Sequence, residues 1–165
     1  MSNTKGLLHK RSLMCLATAM LLSHQASAQL HTVNTPPESM LVLATEQFEQ
    51  GAYKNAAQSA AKYMSAMHYT LHAINTDAAD KAGYVLVTSK LKIDEQGSDV
   101  MAVDYLNKTA NPAYKQRAAF ALAQYYFRHN QLVSAIYYYE LAGIANLTNK
   151  EIADAKFELA YCYFN

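Results

Sequence analysis

Tryptophan is absent from this 165-residue chain, and it has only five glycines, three prolines and two cysteines. Each scarcity removes a class of function. The glycines fall singly, as breakers between apolar stretches, so no glycine-rich loop is present to cradle a phosphate. Cys15 lies in an N-terminal apolar run, which leaves Cys162 without an internal disulfide partner, as expected for a small core residue on a helix. Cys162 and the distant His129 have no motif that would orient them as nucleophile and base. His68 and His72 stand four apart, a spacing that can share one metal ion on a helix. However, Tyr69 follows His68 where the zinc-protease helix needs glutamate, and the nearby Asp77 is no established third ligand. Two solvated histidines are the expectation there: no catalytic residue, no metal and no cofactor.

Long apolar runs are missing as well. The longest candidate, from Leu13 to Leu22, is too short to cross ~30 Å of hydrocarbon. Lys5, Lys10 and Arg11 precede it, and Ala26-Ser27-Ala28 closes it before Gln29. A basic head, a short apolar centre and a small-residue exit describe a secretory signal peptide, with cleavage predicted after Ala28. Cys15 lacks the preceding small residue and late position of a lipoprotein acylation site. Export to a periplasm or cell envelope follows as the expectation, with no membrane insertion after cleavage. Those three cations belong to a total of fourteen Lys and Arg; the eleven remaining face thirteen Asp and Glu, so the mature chain is about −2. No basic surplus is left for phosphate backbones, which argues against nucleic acid as a partner. Asn107 and Asn146 each open an Asn-x-Thr triplet, which counts only in a eukaryotic secretory context.

What the chain does have is alanine and tyrosine in a pattern written twice. Ala118-Ala119-Phe120-Ala121-Leu122-Ala123 with Tyr126 and Phe127 returns, 37 residues later, as Ala155-Lys156-Phe157-Glu158-Leu159-Ala160 with Tyr163 and Phe164. Self-similarity at this period marks stacked supersecondary units. Between the copies lie Ala135, Tyr139 and Ala142 on a second helical stretch, which completes a helix-turn-helix unit. A weaker copy comes first: Ala44 and Ala56 are twelve residues apart, as are Ala123 and Ala135.

In chain order, residues 29–37 read as a polar tether ending in Thr35-Pro36-Pro37. A helix is predicted from Glu38 to Gln50 with Leu41, Ala44 and Phe48 on one face. Gly51 stops it, and Tyr53 opens a second carrying Ala56, Ala57, Ala60, Tyr63, Met64 and Met67. A looser unit covers about 76–109. Its Val85-Leu86-Val87 could pass for a strand, but the flanking helix formers favour helix, and Gly97-Ser98-Asp99 supplies a break and N-cap. Asn111-Pro112 restarts a helix that reaches His129, Asn130 turns the chain, and the next helix ends at Gly143. Thr148 with Glu151 forms a capping-box pattern for one more helix. In Tyr137-Tyr138-Tyr139, one or two rings are expected in the core and the other at the surface.

The order Leu122-Ala123-x-x-Tyr126, then Ala135, Tyr139 and Ala142, resembles the tetratricopeptide repeat. The match extends from about residue 38 onward, clearest at 112–146 and poorest at 76–109. Ala119 stands where the family has tryptophan, the closing proline is absent, and the 37-residue period exceeds the usual 34. The extra length falls at residues 145–149. A signal peptide ahead of such units is similar in style to exported repeat proteins of Bacteroidota-type bacteria. The resemblance implies an all-α solenoid of antiparallel hairpins, about three and a half repeats: units 38–70, 76–109, 112–146 and a partial 148–165. It also implies a concave, aromatic-lined groove that receives protein or peptide partners. Carried over by position, the groove residues are Leu41, Thr45, Phe48 and Glu49 in the first unit. The third supplies Phe120, Gln124, Phe127 and Arg128, and the fourth Phe157, Tyr161 and Phe164. Packing of these rings between units as core is the competing reading.

The expectation is therefore an exported, non-catalytic scaffold for protein–protein interaction. The alternative is the repeat region of an envelope enzyme whose catalytic domain lies downstream. The fourth unit has a single helix, leaving Leu159, Ala160 and Tyr163 without the partner their equivalents have. Further repeats, or another chain, are expected against it.

Overall fold

A computed structural model describes residues 36–69, 76–145 and 147–165, with side-chain surroundings left out at a few positions. The signal peptide, nearly all of the tether, Cys15, His72, Asn146 and the side chain of His68 lie outside the described residues. Seven α-helices and no strand make up the described chain: α1 Pro37–Glu49, α2 Tyr53–Tyr69, α3 Thr76–Lys92, α4 Ser98–Lys108, α5 Pro112–Arg128, α6 Leu132–Ala142 and α7 Asn149–Phe164. Val85, Leu86 and Val87 sit within α3, where helix-forming neighbours outweigh the β-branched pair.

The helices pair in sequence, α1 on α2, α3 on α4 and α5 on α6. The first helices of the hairpins also pack side by side, α1 on α3, α3 on α5 and α5 on α7, whereas the backbones of α2, α4 and α6 stay apart. One row of contiguous helices thus carries the outer helices on its other side. Ala44, Ala56, Ala123 and Ala135 are all 0 % exposed. A methyl group at each hairpin contact lets the two backbones approach, and Leu41, Tyr63, Leu122, Tyr126 and Tyr139 fill the space left around them.

Local chemistry sets the boundaries. Asn111 accepts hydrogen bonds from the Ala113 and Tyr114 N–H groups at 3.0 and 3.3 Å while Pro112 occupies the first turn, so two devices start α5 together. Thr148 and Glu151 form the reciprocal capping box at the head of α7. Asn130 takes φ 56° in the turn between α5 and α6. The cap of α4 differs from the sequence reading: left-handed Gly97 (φ 76°) is the N-cap with no side-chain bond, and Ser98 turns inward, buried. The α4–α5 connection is held by Asp80 of α3, whose carboxylate accepts the N–H groups of Ala110 and Asn111 at 3.1 and 2.9 Å.

Overpacking should discriminate contact positions from surface. Ala123→Leu is expected to cost about 1–3 kcal/mol, whereas Val100→Leu, on an exposed face of α4, should change stability by less than about 0.5 kcal/mol. Urea unfolding followed by circular dichroism measures both.

Candidate functional site: a cavity along the first helices

A cavity of about 320 Å³ opens along the row of first helices. Phe48 and Glu49 come from α1, Tyr84, Thr88 and Lys92 from α3, and Arg117, Phe120 and Gln124 from α5, with Glu151 of α7 also lining it. Four residues predicted for a groove, Phe48, Glu49, Phe120 and Gln124, therefore meet around one space. The contribution of α3 had not been expected, although the sequence carries it. Tyr84, Thr88 and Lys92 stand 36 residues before Phe120, Gln124 and Arg128, and the same register on the poorly matching unit would have found them.

The walls are rings with charge at their edges. Phe48 meets Tyr84 edge-on at 5.6 Å, Tyr84 stacks on Tyr114 at 5.4 Å, and the Arg117 guanidinium lies 5.6 Å above the Tyr84 ring. Lys92 donates to Gln124 Oε1 at 3.0 Å, linking α3 to α5. Its ammonium pKa is lowered, first by desolvation and then by the like charge of Arg128. Thr88 is buried, and its Oγ1 has no partner among the described residues; the same holds for Arg117 Nε. Burial pushes the Tyr84 hydroxyl up to about 12, with Arg117 partly opposing.

The predicted residues differ in what else they touch. Phe120 serves core and cavity together: it is 5 % exposed and packs on Tyr139 at 6.1 Å, yet its edge lines the space. Phe127 and Tyr161 touch edge-on at 5.6 Å and continue the aromatic row onto α7. Arg128 donates to the Leu91 carbonyl at 2.9 Å and to Asp94 at 3.1 Å, so it clamps the α3–α4 turn. Phe157 and Phe164 are 71 % and 91 % exposed and are not among the side chains lining the cavity. Ala160 and Tyr163 are exposed too, and Tyr163 donates to Glu140. Cys162 is buried with its thiol pushed up, chiefly by desolvation.

A second cavity, about 430 Å³ and more apolar, lies between α2, α3 and α4 and is lined by Met64, Leu86, Met101 and Tyr105. No equivalent positions on the other hairpins join it, which sets it apart from the repeated row. Among the described residues no group of three or more His, Cys, Asp or Glu is placed to hold a metal ion, and no helix is long and apolar enough to cross a membrane. Compared with known proteins, the chain matches no family model, no curated protein and no solved structure.

The Tyr84 hydroxyl gives a pH test with a definite sign. In the unfolded chain it ionises near 10, in the fold near 12, so the folded state holds this proton longer. Its contribution is complete below pH 10 and is lost as pH rises through that window, a difference of about 2–3 kcal/mol. Tyr84→Phe should therefore flatten the alkaline fall in stability, measured by urea titrations at pH 9 to 12.

Proposed function

We propose that the protein is an exported scaffold of tetratricopeptide type, an α-solenoid that binds a segment of another protein along its row of first helices. On this reading it has no catalytic role, takes no cofactor, and works in the periplasm or cell envelope. The observation that carries the proposal is the convergence of Phe48, Tyr84, Phe120 and Gln124, from three successive first helices, on one open cavity. Such an arrangement suits a peptide. Rings offer flat apolar contact at low entropic cost, and polar groups at the margin fix direction. Lys92, Gln124 and Arg117, polar side chains of the cavity lining, supply donors for main-chain or side-chain oxygens of a bound segment. Phe127 and Tyr161 would extend the contact toward α7.

A displayed random-peptide library selected on the full chain tests this. Selected peptides should lose at least about tenfold in affinity, roughly 1.4 kcal/mol, when Gln124 and Lys92 are both replaced by alanine. The Val100→Glu variant, altered on an exposed face of α4 that does not line the cavity, should bind them unchanged. Peptides insensitive to the double substitution, or a selection that yields none, would remove the reading.

A further inference from the structure

Helix α7 has two apolar faces, and only one is packed among the described residues. Ala155 and Cys162 are buried against the preceding helices. On the opposite side Ala153, Phe157, Ala160 and Phe164 are all exposed. At 100° per residue these four fall within about 60° of one another, in a narrow stripe. Phe157 and Phe164, with Tyr163 on the flank, expose roughly two rings' worth of surface, on the order of 300–500 Å². A patch of that size, left uncovered by the described residues on an alternating large-small stripe, marks an interaction surface.

The order of sizes along the stripe says what fits it. Ala153 and Phe164 lie equally far from the midpoint between Glu158 and Leu159, and so do Phe157 and Ala160. When two copies of α7 run antiparallel about a two-fold axis at that midpoint, Phe157 comes level with Ala160 of the other copy, and Phe164 with Ala153. Large meets small at every level, in both directions. The alanines let the axes approach to about 8 Å, the near end of helix–helix distances. One repeat earlier, Phe120 and Ala123 already lie in a helix that packs an antiparallel neighbour, α6. We infer that the outward face of α7 is a homodimer interface, in which it pairs antiparallel with α7 of a second copy. The interface is isologous and closes on itself. Both copies together bury about 600–1,000 Å² of ring surface before alanines and backbone are added, the low end of specific interfaces. The dimer is accordingly expected to be reversible and concentration-dependent. This inference stands apart from the peptide-binding reading, because the stripe does not line the cavity.

Light scattering and sedimentation equilibrium on the full native chain, over a micromolar concentration series, test it. Twice the monomer mass is expected at the upper end. Ala160→Phe sets ring against ring and should weaken association at least tenfold. Combining it with Phe157→Ala exchanges large and small at level positions, and should restore association to within about threefold of the parent. Val100→Glu, on α4, which does not touch α7, should leave the dimer intact, and circular dichroism of every variant checks folding. A monomer at all concentrations overturns the inference. So does a dimer indifferent to Ala160→Phe, a double variant no better than the single one, or a dimer lost equally with Val100→Glu.

Discussion

Everything in this fold depends on how closely two helical backbones can approach, and four methyl groups set that distance. Ala44 and Ala56 in one hairpin, Ala123 and Ala135 in another, are excluded from solvent altogether. A larger side chain at any of them would push the helices apart and open the space that Leu122, Tyr126 and Tyr139 now fill. The hairpin spacing in turn fixes where the next first helix rests, because α1, α3, α5 and α7 form a continuous row. The cavity is a consequence of that row. Its rings share a side because the helices that carry them are held in register by contacts on the other side.

The double duty of Phe120 follows from this. A ring almost wholly buried against Tyr139 has little freedom left, and the edge it turns to the cavity is fixed before anything binds. Tyr84 is similar, wedged between Phe48, Tyr114 and the Arg117 guanidinium. Rigid rings lose little entropy on contact, so a site built from half-core aromatics is preorganised where one built on loops is not. Lys92 is the counterweight. Desolvated and beside Arg128, its charge is held at some cost, and an approaching oxygen anion would relieve it.

The sequence made some of this legible and hid the rest, for physical reasons. Helix type, hairpin pairing and the alanine contacts followed from periodicity, because a buried methyl leaves the same mark in each copy. Asn111-Pro112 and Thr148 with Glu151 marked helix starts because capping depends on neighbours along the chain. The α3 wall was missed because residues 93–97 pass through two left-handed positions, Asp94 at φ 51° and Gly97 at φ 76°. Ala102 and Leu106 of α4 repeat the spacing of Ala135 and Tyr139, but at a changed distance from α3. The unit therefore looks irregular as a string, although Tyr84, Thr88 and Lys92 keep their places. Arg128 carries a role that register alone does not show. Groove position by register does not exclude a structural bond, and here its guanidinium spans two elements to hold that same irregular turn.

Faces on α7 separate by angle. Cys162 and Ala155 mark the side packed on the preceding helices, Tyr161 turns toward Phe127, and Phe157 with Phe164 lie roughly 140–160° from Cys162. Tyr161 is thus the border between the aromatic row and the outward stripe. Pairing through that stripe would cover Phe157 and Phe164 while leaving Phe48, Tyr84, Phe120 and Gln124 open. Two such cavities, joined rigidly through one helix pair, would present two sites to a single partner. The second contact would then form at high effective concentration, so a partner with two suitable segments would be held far more tightly than either segment alone. A weak cavity and a weak dimer would reinforce each other in this way, each needing only a modest interface of its own.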